Sequence, residues 1–501
     1  MKYIPTIGLE IHAELKTKSK MFCSCANAQT RIDTNTENTN IHEQKPVDPN
    51  TNVCPVCLGM PGTLPVLNKQ AIDWTIMTGL ALNCQISDFT KWDRKNYFYP
   101  DLPKGYQISQ YDLPICHEGY LEISNEIKDQ KFKKIRITRI HLEEDTGTSK
   151  HPEGRTDVNY SLLDYNRAGV PLMELVTEPD IESAEEAKEF CKEYQLILRS
   201  LRVADADMEK GQMRCEVNIS LREITRTDTN KKSHEQTQMK LGTKVEVKNL
   251  NSFRAVERAI KYEIERQTEV LESGEKVVQE TRGWDDAKGK TYTMRIKETS
   301  ADYRYFPEPD LPPVIITEAS IKKLESSMPE LPDKKLHKYI EKYGLNQADA
   351  KILVGDIEKA KYFEECLILN TKYQIPDKKI ASWIINEASD LQIKPELLVE
   401  LVKSIEQGEI SGKIAKEMLP EIKKGKKPSE IIKEKGLKQI SDSSELEKII
   451  EQVLSHNSDA VEKIKAGQKG VMGFLVGQVM KETKGQANPK VVSEIINNKL
   501  K

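Results

Sequence analysis

Apolar and polar residues alternate over residues 7–15, close to the start of the chain. Leu9 and Ile11 fall on one face of this pattern, whereas Glu10 and His12 fall on the other. Successive side chains of a β-strand point to opposite faces, so the pattern predicts a half-buried strand. The spacing by itself favours ordinary outward-facing polar residues and leaves a metal or acid–base site as the alternative.

The same alternation returns in later stretches, and each predicts a further strand. These patterns cover residues 133–140, 211–220 and 244–249, with a strand–turn–strand pattern over 162–175. Residues 283–291 predict a hairpin with Gly289 in its turn. Their glycine spacing does not match a phosphate-binding loop. The N-terminal part of the chain is therefore expected to contain a β-sheet.

Helical spacing of apolar residues predicts three long helices in this part of the chain. They cover Asn68–Asn83, Ser183–Leu201 and Ser252–Leu271. Beyond Ile321 the strand-like alternation stops, and Lys, Glu, Ile and Leu dominate between glycines and prolines. This texture predicts several short helices, so the expected fold class is α+β, with a mostly antiparallel sheet followed by helices.

Residues 91–110 break both periodicities because they are rich in aromatic residues, cations and prolines. Proline fits neither the interior of a helix nor a central strand, so we expect a loop here. Aromatic and basic side chains together suit a loop that grips phosphate or stacks a base. A packed loop with an aromatic anchor is an equally good interpretation.

Two further stretches bear on organisation and partners. Residues 302–313 are stiff with prolines and predict the end of the sheet-containing part. The lysine run at 423–427 has a composition that nucleic-acid contacts use, but its charge alone favours a solvated face or a linker.

Composition places the chain among charged proteins, with 31% charged and 38% hydrophobic residues in 501. This length suggests roughly two to four domains. No window is long and apolar enough to span a membrane, and the N-terminus leads into the first strand without an apolar signal core. We therefore expect a cytoplasmic protein. The net charge of −3 gives no overall basic field, although local patches decide nucleic-acid binding.

Four of the nine cysteines form two short-spaced pairs, Cys23 with Cys25 and Cys54 with Cys57. Such pairs on either side of a polar stretch predict a tetrahedral zinc site with four thiolate ligands. Free thiols are the main alternative. A catalytic zinc is disfavoured because four thiolates leave no open position for water.

Acidic residues recur on the polar faces of separate predicted strands. Glu10, Glu216 and Glu246 lie within strands, and Glu144 lies beside one in an acidic turn. Converging carboxylates repel one another unless a cation neutralises them, so one or two divalent cations would explain the pattern. For the turn that contains Glu144, a solvated acidic turn is the alternative.

Six segments together resemble the B-subunit family of the aspartyl/glutamyl-tRNA amidotransferases. They are the strand with Glu10 and His12, residues 94–101, residues 141–145, residues 164–167 with 171–174, residues 248–253, and residues 302–307. The match is collinear through about residue 310, and the helical C-terminal third fits the family in length and texture.

The resemblance implies three domains. Residues 1–318 would form a cradle built around the sheet, with a zinc-binding insertion at 23–57. Residues 319–425 would form a helical domain, and residues 426–501 a small all-helical tail that touches tRNA.

The resemblance also implies a reaction. Members of the family use ATP to phosphorylate the carboxylate of glutamate or aspartate on misacylated Glu-tRNA(Gln) or Asp-tRNA(Asn). Ammonia from glutamine then displaces the phosphate. An amidase A subunit supplies the ammonia, and a small C subunit holds A and B together in a heterotrimer. The chain is thus expected to be an ATP-consuming carbon–nitrogen ligase that uses magnesium.

The resemblance assigns roles to particular residues. The magnesium-site positions are Glu10, His12, Glu144, Glu216 and Glu246, of which Glu10, His12 and Glu144 are the expected catalytic residues. The family commonly has aspartate where this chain has Glu216, so ligation through water is an alternative there. Arg94, Lys95 and Asn96 are expected to contact phosphate or the acylated tRNA. The zinc site occurs in part of the family and is expected to be structural and apart from catalysis.

Two other functions compete with this one. A tRNA-binding scaffold without chemistry of its own is favoured by the lack of a recognisable ATP-binding loop in the sequence. A zinc hydrolase is the other. Glutaminase activity is not expected in this chain, because it has no Gly-flanked Ser-Ser run of the amidase kind.

Overall fold

The computed structural model describes residues 3–27, 48–124, 132–150, 160–223, 241–296, 303–437, 443–465, 472–483, 487 and 489–500. The chain divides into two compact units, Met1–Leu331 and Pro332–Lys501. The first unit combines strands and helices and the second is helical, so the predicted α+β class is confirmed. The predicted three-domain division remains a prediction.

The strands all lie in the first unit. In chain order they are β1 (Tyr3–Glu14), β2 (Gln85–Ile86), β3 (Phe89–Thr90), β4 (Asp93–Asn96), β5 (Tyr106–Ser109), β6 (Cys116–Ser124), β7 (Phe132–Glu144), β8 (Thr148–Lys150), β9 (Leu162–Asp164), β10 (Pro171–Thr177), β11 (Met213–Glu223), β12 (Val245–Leu250), β13 (Glu280–Asp285), β14 (Lys290–Ile296), β15 (Phe306–Pro307) and β16 (Val314–Ile315).

The helices occur in both units. In chain order they are α1 (Lys69–Ala81), α2 (Ala184–Ser200), α3 (Phe253–Glu272), α4 (Glu318–Ser327), α5 (Pro332–Glu341), α6 (Gln347–Val354), α7 (Ile357–Asn370), α8 (Asp377–Asn386), α9 (Pro395–Glu406), α10 (Gly412–Ile422), α11 (Pro428–Lys435), α12 (Ser443–His456), α13 (Ser458–Lys465), α14 (Met472–Glu482) and α15 (Pro489–Leu500).

A nine-stranded sheet organises the first unit, with strand order β14-β13-β12-β11-β1-β10-β7-β6-β2. Neighbouring strands pair antiparallel except β12 and β13, which are parallel. The strand predicted at the N-terminus is β1, and it lies fifth of the nine. The polar residues of β1 therefore have a long strand on either side of them.

One face of this sheet forms the core of the unit. Ile7, Leu9 and Ile11 of β1 are at most 1% exposed, and they belong to one apolar cluster with α1, α2 and α3. The three helices lie close to the predicted positions because each begins at a polar cap: Asn68, Ser183 and Ser252 accept hydrogen bonds from backbone N–H groups in the first turn. The sheet is therefore covered on the face opposite Glu10 and His12.

The prediction of a loop over residues 91–110 is wrong for two short strands, β4 and β5, and correct for residues 97–105, which connect them. Strand β4 is the central strand of a small antiparallel sheet, β15-β4-β5. Pro100 and Pro103 lie in the connection between β4 and β5, so they break no ladder hydrogen bond. Strand β5 is joined to the end of β7, where Gln107 donates to the Glu144 carbonyl at 2.7 Å.

The second unit is built from α5 to α15, as the change of texture predicted. Tyr339, Phe363 and Ile384 are fully buried among α5 to α11. A separate apolar cluster joins α12, α14 and α15 through residues such as Leu446 and Leu475. Across the described parts of both units, no helix has the length and apolar character needed to cross a membrane.

Candidate functional site

The outer face of the nine-stranded sheet carries a row of ionisable residues on its central strands. Glu10 and His12 are two residues apart on β1 and share this face, because their neighbours point into the core. The register places Glu10 opposite Glu216 of β11, and His12 opposite Glu174 of β10. The two residues of β1 therefore join different neighbours, on opposite sides of the strand.

Glu10, Glu216 and Glu246 form the first cluster, which we call the glutamate group. Each contributes a carboxylate oxygen, and these atoms lie within 4.8 Å of one another. Like charges directly opposite each other in a sheet are destabilising, so this arrangement needs compensating charge or hydrogen bonds. Three of the predicted metal-site residues thus meet in one place.

Three neighbouring side chains compensate the glutamate group. The Lys248 ammonium lies 2.8 Å from a Glu216 oxygen and 3.4 Å from a Glu246 oxygen. Asn218 donates to Glu10 at 2.8 Å, and the Thr281 hydroxyl donates to Glu246 at 2.7 Å. The opposite side of the Asn218 amide, its Oδ1, is buried without a hydrogen-bond partner in the described residues.

His12, Glu143 and Glu174 form the second cluster, the histidine group, and their ligand atoms also lie within 4.8 Å of one another. His12 Nε2 is 3.3 Å from Glu174 Oε2 and 3.9 Å from Glu143 Oε1. On the far side, His141 Nε2 is 3.4 Å from the same Glu174 oxygen. The Ser109 hydroxyl holds Glu143 at 3.1 Å, so the small sheet contributes directly to this cluster.

The two histidines beside Glu174 differ in charge. Burial lowers the pKa of His12, but its hydrogen bond with Glu174 and the nearby negative charges outweigh burial and raise the pKa to about 9. Burial dominates at His141 and lowers its pKa to about 4. At neutral pH the metal-free site therefore holds a cationic His12 and a neutral His141.

Glu144, the fourth predicted carboxylate, belongs to neither cluster of the described residues. Its side chain binds the ammonium of Lys104, and its Oε1 accepts a hydrogen bond from the Ile108 backbone N–H at 3.0 Å. The reason is strand parity. Strand β7 continues to residue 144, so Glu144 shares the inward face of Ile140 and Leu142.

Glu143 and Glu174 were missed as candidate ligands from sequence, although parity could have found them. Glu143 is two residues after His141 on β7 and faces outward with it. Glu174 lies between Met173 and Leu175, both fully buried, and so faces outward as well. The predicted strand ended at residue 140, whereas β7 continues for four more residues to Glu144, so the prediction did not assign Glu143 to a face.

Arg94 and Asn96 are held by the protein itself. The Arg94 guanidinium donates to both carboxylate oxygens of Glu308, at 2.7 and 2.8 Å, and its Cζ lies 4.4 Å from the centre of the Tyr106 ring. The Asn96 amide donates to the carbonyls of Tyr303 and Arg304, at 3.2 and 2.8 Å. Both side chains fasten β4 to the segment around β15.

Lys95 points to the other face of β4 and toward the histidine group. Its burial lowers the pKa, but the negative charge of Glu143, aided by Tyr305 and Glu174, raises it well above the usual value. The ammonium also lies 5.2 Å from the centre of the Tyr303 ring. Of the three residues predicted to contact phosphate or acylated tRNA, Lys95 is the cation facing this site.

The four cysteines predicted to bind zinc come together as a third cluster, the cysteine group. Cys57 Sγ lies 3.4 Å from Cys23, 3.6 Å from Cys54 and 3.7 Å from Cys25. Four sulfurs around a tetrahedral zinc, with Zn–S bonds of about 2.3 Å, are about 3.8 Å apart. The cluster therefore has the size and donor chemistry of a four-thiolate metal site.

Lys20 lies behind the cysteine group and is fully buried. Its ammonium donates to the Asn52 carbonyl at 2.9 Å and to Cys57 Sγ at 3.5 Å. The hydrogen bond from Cys23, together with the Lys20 charge and against the effect of burial, lowers the pKa of Cys57 to about 4. The surroundings of Cys57 therefore favour its thiolate form, which is the form that binds a metal.

The donor sets distinguish the cations that would fit each cluster. The glutamate group offers only oxygen, the ligand that magnesium prefers, and the unpaired Asn218 Oδ1 adds an amide oxygen beside it. The histidine group offers two carboxylates, which suit magnesium and manganese, and an imidazole nitrogen, which suits zinc and iron. The cysteine group suits zinc.

Two sequence models of known families match the chain. Residues 5–322 match the sequence model of the GatB/GatE catalytic domain, and residues 361–500 match that of the GatB domain. The first match covers every member of the three clusters. The chain therefore belongs to the GatB/GatE family.

Curated relatives match over the whole chain. A protein of Persephonella marina is 49% identical, and one of Thermoanaerobacter pseudethanolicus is 48% identical, each aligned over 100% of both chains. A protein of Thermodesulfovibrio yellowstonii is also 48% identical over 100% of both. All three relatives are named as the B subunit of aspartyl/glutamyl-tRNA(Asn/Gln) amidotransferase.

Proposed function

We propose that this chain is the subunit of a tRNA-dependent amidotransferase that activates the amino acid on misacylated Glu-tRNA(Gln), Asp-tRNA(Asn) or both. ATP phosphorylates the side-chain carboxylate, and ammonia then replaces the phosphate to give Gln-tRNA(Gln) or Asn-tRNA(Asn). The observation that carries the proposal is the pair of acidic clusters on adjacent strands, within the segment that matches the GatB/GatE catalytic domain.

The acidic clusters suit phosphoryl transfer from ATP. Magnesium, when bound, neutralises the polyphosphate and positions it for in-line transfer. Glu10, Glu216 and Glu246 would hold one cation, and His12, Glu143 and Glu174 would hold a second. Glu10 and His12 are two residues apart on one strand, so their Cα atoms are about 7 Å apart, and the two clusters extend from β1 to opposite sides.

The remaining residues position and neutralise the reactants. Lys95 stays protonated at neutral pH and faces the histidine group, where it meets the negative charge of the phosphate or the acyl group. Glu144 acts through Lys104 and the backbone of β5, and so positions the small sheet. The acceptor carboxylate is already ionised, so the reaction needs no base to remove a proton from it.

The subunits and surroundings proposed for this reaction follow from the family. An amidase A subunit supplies ammonia from glutamine, a small C subunit joins the heterotrimer, and the tail at 426–501 contacts tRNA. The cradle at 1–318 carries the chemistry, and the helical domain at 319–425 connects it to the tail. The protein works in the cytoplasm, and its cysteine group holds a structural zinc.

The test is tRNA-dependent turnover in the assembled heterotrimer. We expect ADP release and Gln-tRNA(Gln) formation that require ATP, magnesium and Glu-tRNA(Gln). Glu10→Gln and Glu174→Gln, one in each cluster, should each lower turnover by about two orders of magnitude or more. A Phe132→Leu variant, an exposed position at the start of β7, is the matched control and should keep full turnover.

Three outcomes would each contradict a part of the proposal. Full turnover by Glu10→Gln and Glu174→Gln variants would exclude the clusters from the reaction and favour a tRNA-binding scaffold. Loss of turnover on replacing all four cysteines by serine, in protein that still folds and binds magnesium, would favour zinc chemistry. Ammonia production from glutamine by the isolated chain would overturn the assignment of that step to the A subunit.

A further inference from the structure

Lys248 occupies an unusual place for a lysine. It follows Glu246 by two residues on β12 and therefore points to the same outer face of the sheet. Its ammonium lies between two carboxylates of the glutamate group, 2.8 Å from Glu216 and 3.4 Å from Glu246. The side chain thus puts a positive charge into the cluster that is proposed to hold a divalent cation.

The charge balance shows why this matters. Three carboxylate oxygens of the glutamate group lie within 4.8 Å of one another, and the Lys248 ammonium contacts two of these three carboxylates. A divalent cation that used the same Glu216 and Glu246 carboxylates would lie next to the ammonium and be repelled by it. The divalent cation can therefore bind to these carboxylates only if the Lys248 ammonium moves away from their oxygens.

Lys248 is the most exposed of the three side chains in this contact. Its side chain is 37% exposed, whereas those of Glu216 and Glu246 are 20% and 11% exposed. The carboxylates are held from other directions as well: Glu10 by Asn218 and Glu246 by Thr281. The cluster therefore keeps contacts that position two of its members when the ammonium leaves.

We propose that Lys248 is a built-in counterion of the glutamate group, which the divalent cation displaces when it binds. The inference rests on the proposed cation site and concerns how that site is filled. Lys248 stabilises the metal-free sheet by separating the carboxylates, and it lowers the affinity of the cluster for a divalent cation. After displacement the ammonium remains beside the site, where it can meet an anionic substrate.

Binding of Mn²⁺ to the full-length chain tests this exchange. Mn²⁺ is titrated into the zinc-loaded protein and the free ion is counted by electron paramagnetic resonance. For Lys248→Met we expect about a tenfold increase in the affinity of one site, because a nearby positive charge is removed. Lys248→Gln should change the affinity in the same direction and serves as the second variant if Lys248→Met folds poorly. Lys244→Met, an exposed lysine just before β12, is the control and should bind as the wild type does.

A double-mutant cycle assigns the effect to this cluster. Lys248 contacts Glu216 directly, so the increase in affinity should be largely lost when Lys248→Met is combined with Glu216→Gln. In the absence of Mn²⁺, Lys248→Met should have a lower Tm than the wild type. Saturating Mn²⁺ should close that gap, because the bound cation takes over the role of the ammonium.

Two results would contradict the exchange, and they differ in what they imply for the proposed cation site. In the first, Glu10→Gln and Glu216→Gln both weaken Mn²⁺ binding, but Lys248→Met and Lys248→Gln leave it unchanged or weaken it. This result would overturn the exchange and leave the proposed cation site standing. Mn²⁺ binding that neither Glu10→Gln nor Glu216→Gln affects would remove the cation site, and the exchange with it.

Discussion

At the scale of single residues, two consecutive glutamates of β7 have different roles. Glu143 and Glu144 are consecutive and both are buried, at 3% and 4% exposed. Strand geometry sends Glu143 to the outer face with His12, and Glu144 to the inner face with Lys104. The carboxylate of Glu143 therefore belongs to the histidine group, whereas that of Glu144 attaches β5 to β7.

Lys20 provides a test of the cysteine group at the same scale. A four-thiolate zinc site carries two net negative charges, and the fully buried Lys20 ammonium at Cys57 offsets one of them. We expect Lys20→Met to lower zinc affinity about tenfold, as loss of a partner behind a metal ligand commonly does. Competition with a chromophoric chelator measures this, with Lys18→Met, an exposed lysine nearby, as control. Unchanged zinc affinity in folded Lys20→Met protein would contradict the charge-balancing role.

Asp145 and Arg214 provide a second test. Asp145 is buried, and Arg214 donates to it at 2.9 Å. Burial raises the pKa of Asp145, but the charges of Arg214 and Arg167 outweigh it and hold the pKa below the usual 3.8. Arg214→Met should lower the free energy of unfolding by about 2 kcal/mol, because it leaves a buried charge poorly paired.

The sign of the pH dependence follows from that pKa. A carboxylate whose pKa is lowered by folding contributes its full stability above the unfolded value, here 3.8, and loses it as the pH falls through the folded value. Urea unfolding should therefore separate wild type from Arg214→Met at pH 7, and the difference should shrink below pH 3.8. An Arg295→Met variant, at an exposed position, should match the wild type at both pH values. A difference that grew on acidification would exclude the Asp145 pair as its source.

At the scale of elements, the small sheet β15-β4-β5 brings together parts of the chain that are far apart in sequence. The Arg94–Glu308 pair joins β4 to the residue that follows β15, and Glu308 has no exposed side-chain surface. The Glu308 N–H also donates to the Trp92 carbonyl at 2.9 Å. These contacts hold β4 in place and so place Lys95 over the histidine group.

The two neighbouring cations of β4 should therefore respond differently to substitution. Arg94→Gln leaves the Glu308 carboxylate buried without its ion pair, so we expect a loss of about 2 kcal/mol in unfolding free energy. Backbone amides of residues 303–306 and 308 should also exchange hydrogen faster. Lys95→Met should instead raise the KM for ATP or acylated tRNA, because Lys95 faces the histidine group, and it should also lower stability, because the ammonium offsets the charges of Glu143 and Glu174. A raised KM with unchanged stability in Arg94→Gln would point to a direct phosphate contact by Arg94.

At the scale of the whole molecule, each compact unit has its own core. The nine-stranded sheet and helices α1 to α3 share one apolar cluster in Met1–Leu331. The unit Pro332–Lys501 has buried side chains among α5 to α11 and a further cluster that joins α12, α14 and α15. The three ligand clusters all belong to the first unit.

This organisation predicts that the units fold independently. Chains ending at Leu331 and beginning at Pro332 should each show a cooperative thermal transition by circular dichroism. The first should keep the Mn²⁺ and zinc stoichiometry of the full chain, and the second should bind neither. A cut after Ile260, within α3, is the matched control and should abolish cooperative unfolding, since Ile260 is fully buried in the first core. Non-cooperative unfolding of the chain ending at Leu331 would contradict the independence of the first unit.

The sequence by itself determined those features that depend on short-range periodicity and local chemistry. Alternation in β1 and the caps of α1, α2 and α3 are local signals, and the structure confirms the elements near their predicted bounds. The cysteine pairs were recognisable because short spacing already holds two sulfurs close together. Motif resemblance led to the family, and the comparisons confirm it.

Only the tertiary structure decided how the acidic residues are grouped. Sheet register places Glu10 opposite Glu216 and His12 opposite Glu174, and register is a pairing between distant segments that no local pattern contains. The same applies to Lys248, whose position between two carboxylates requires β11 and β12 to be neighbours. The sequence predicted that acids on separate strands would need a cation. The order of strands in the sheet decided that three of these acids form one cluster with a lysine within it, and that His12 joins a second cluster with Glu143 and Glu174, which were not predicted.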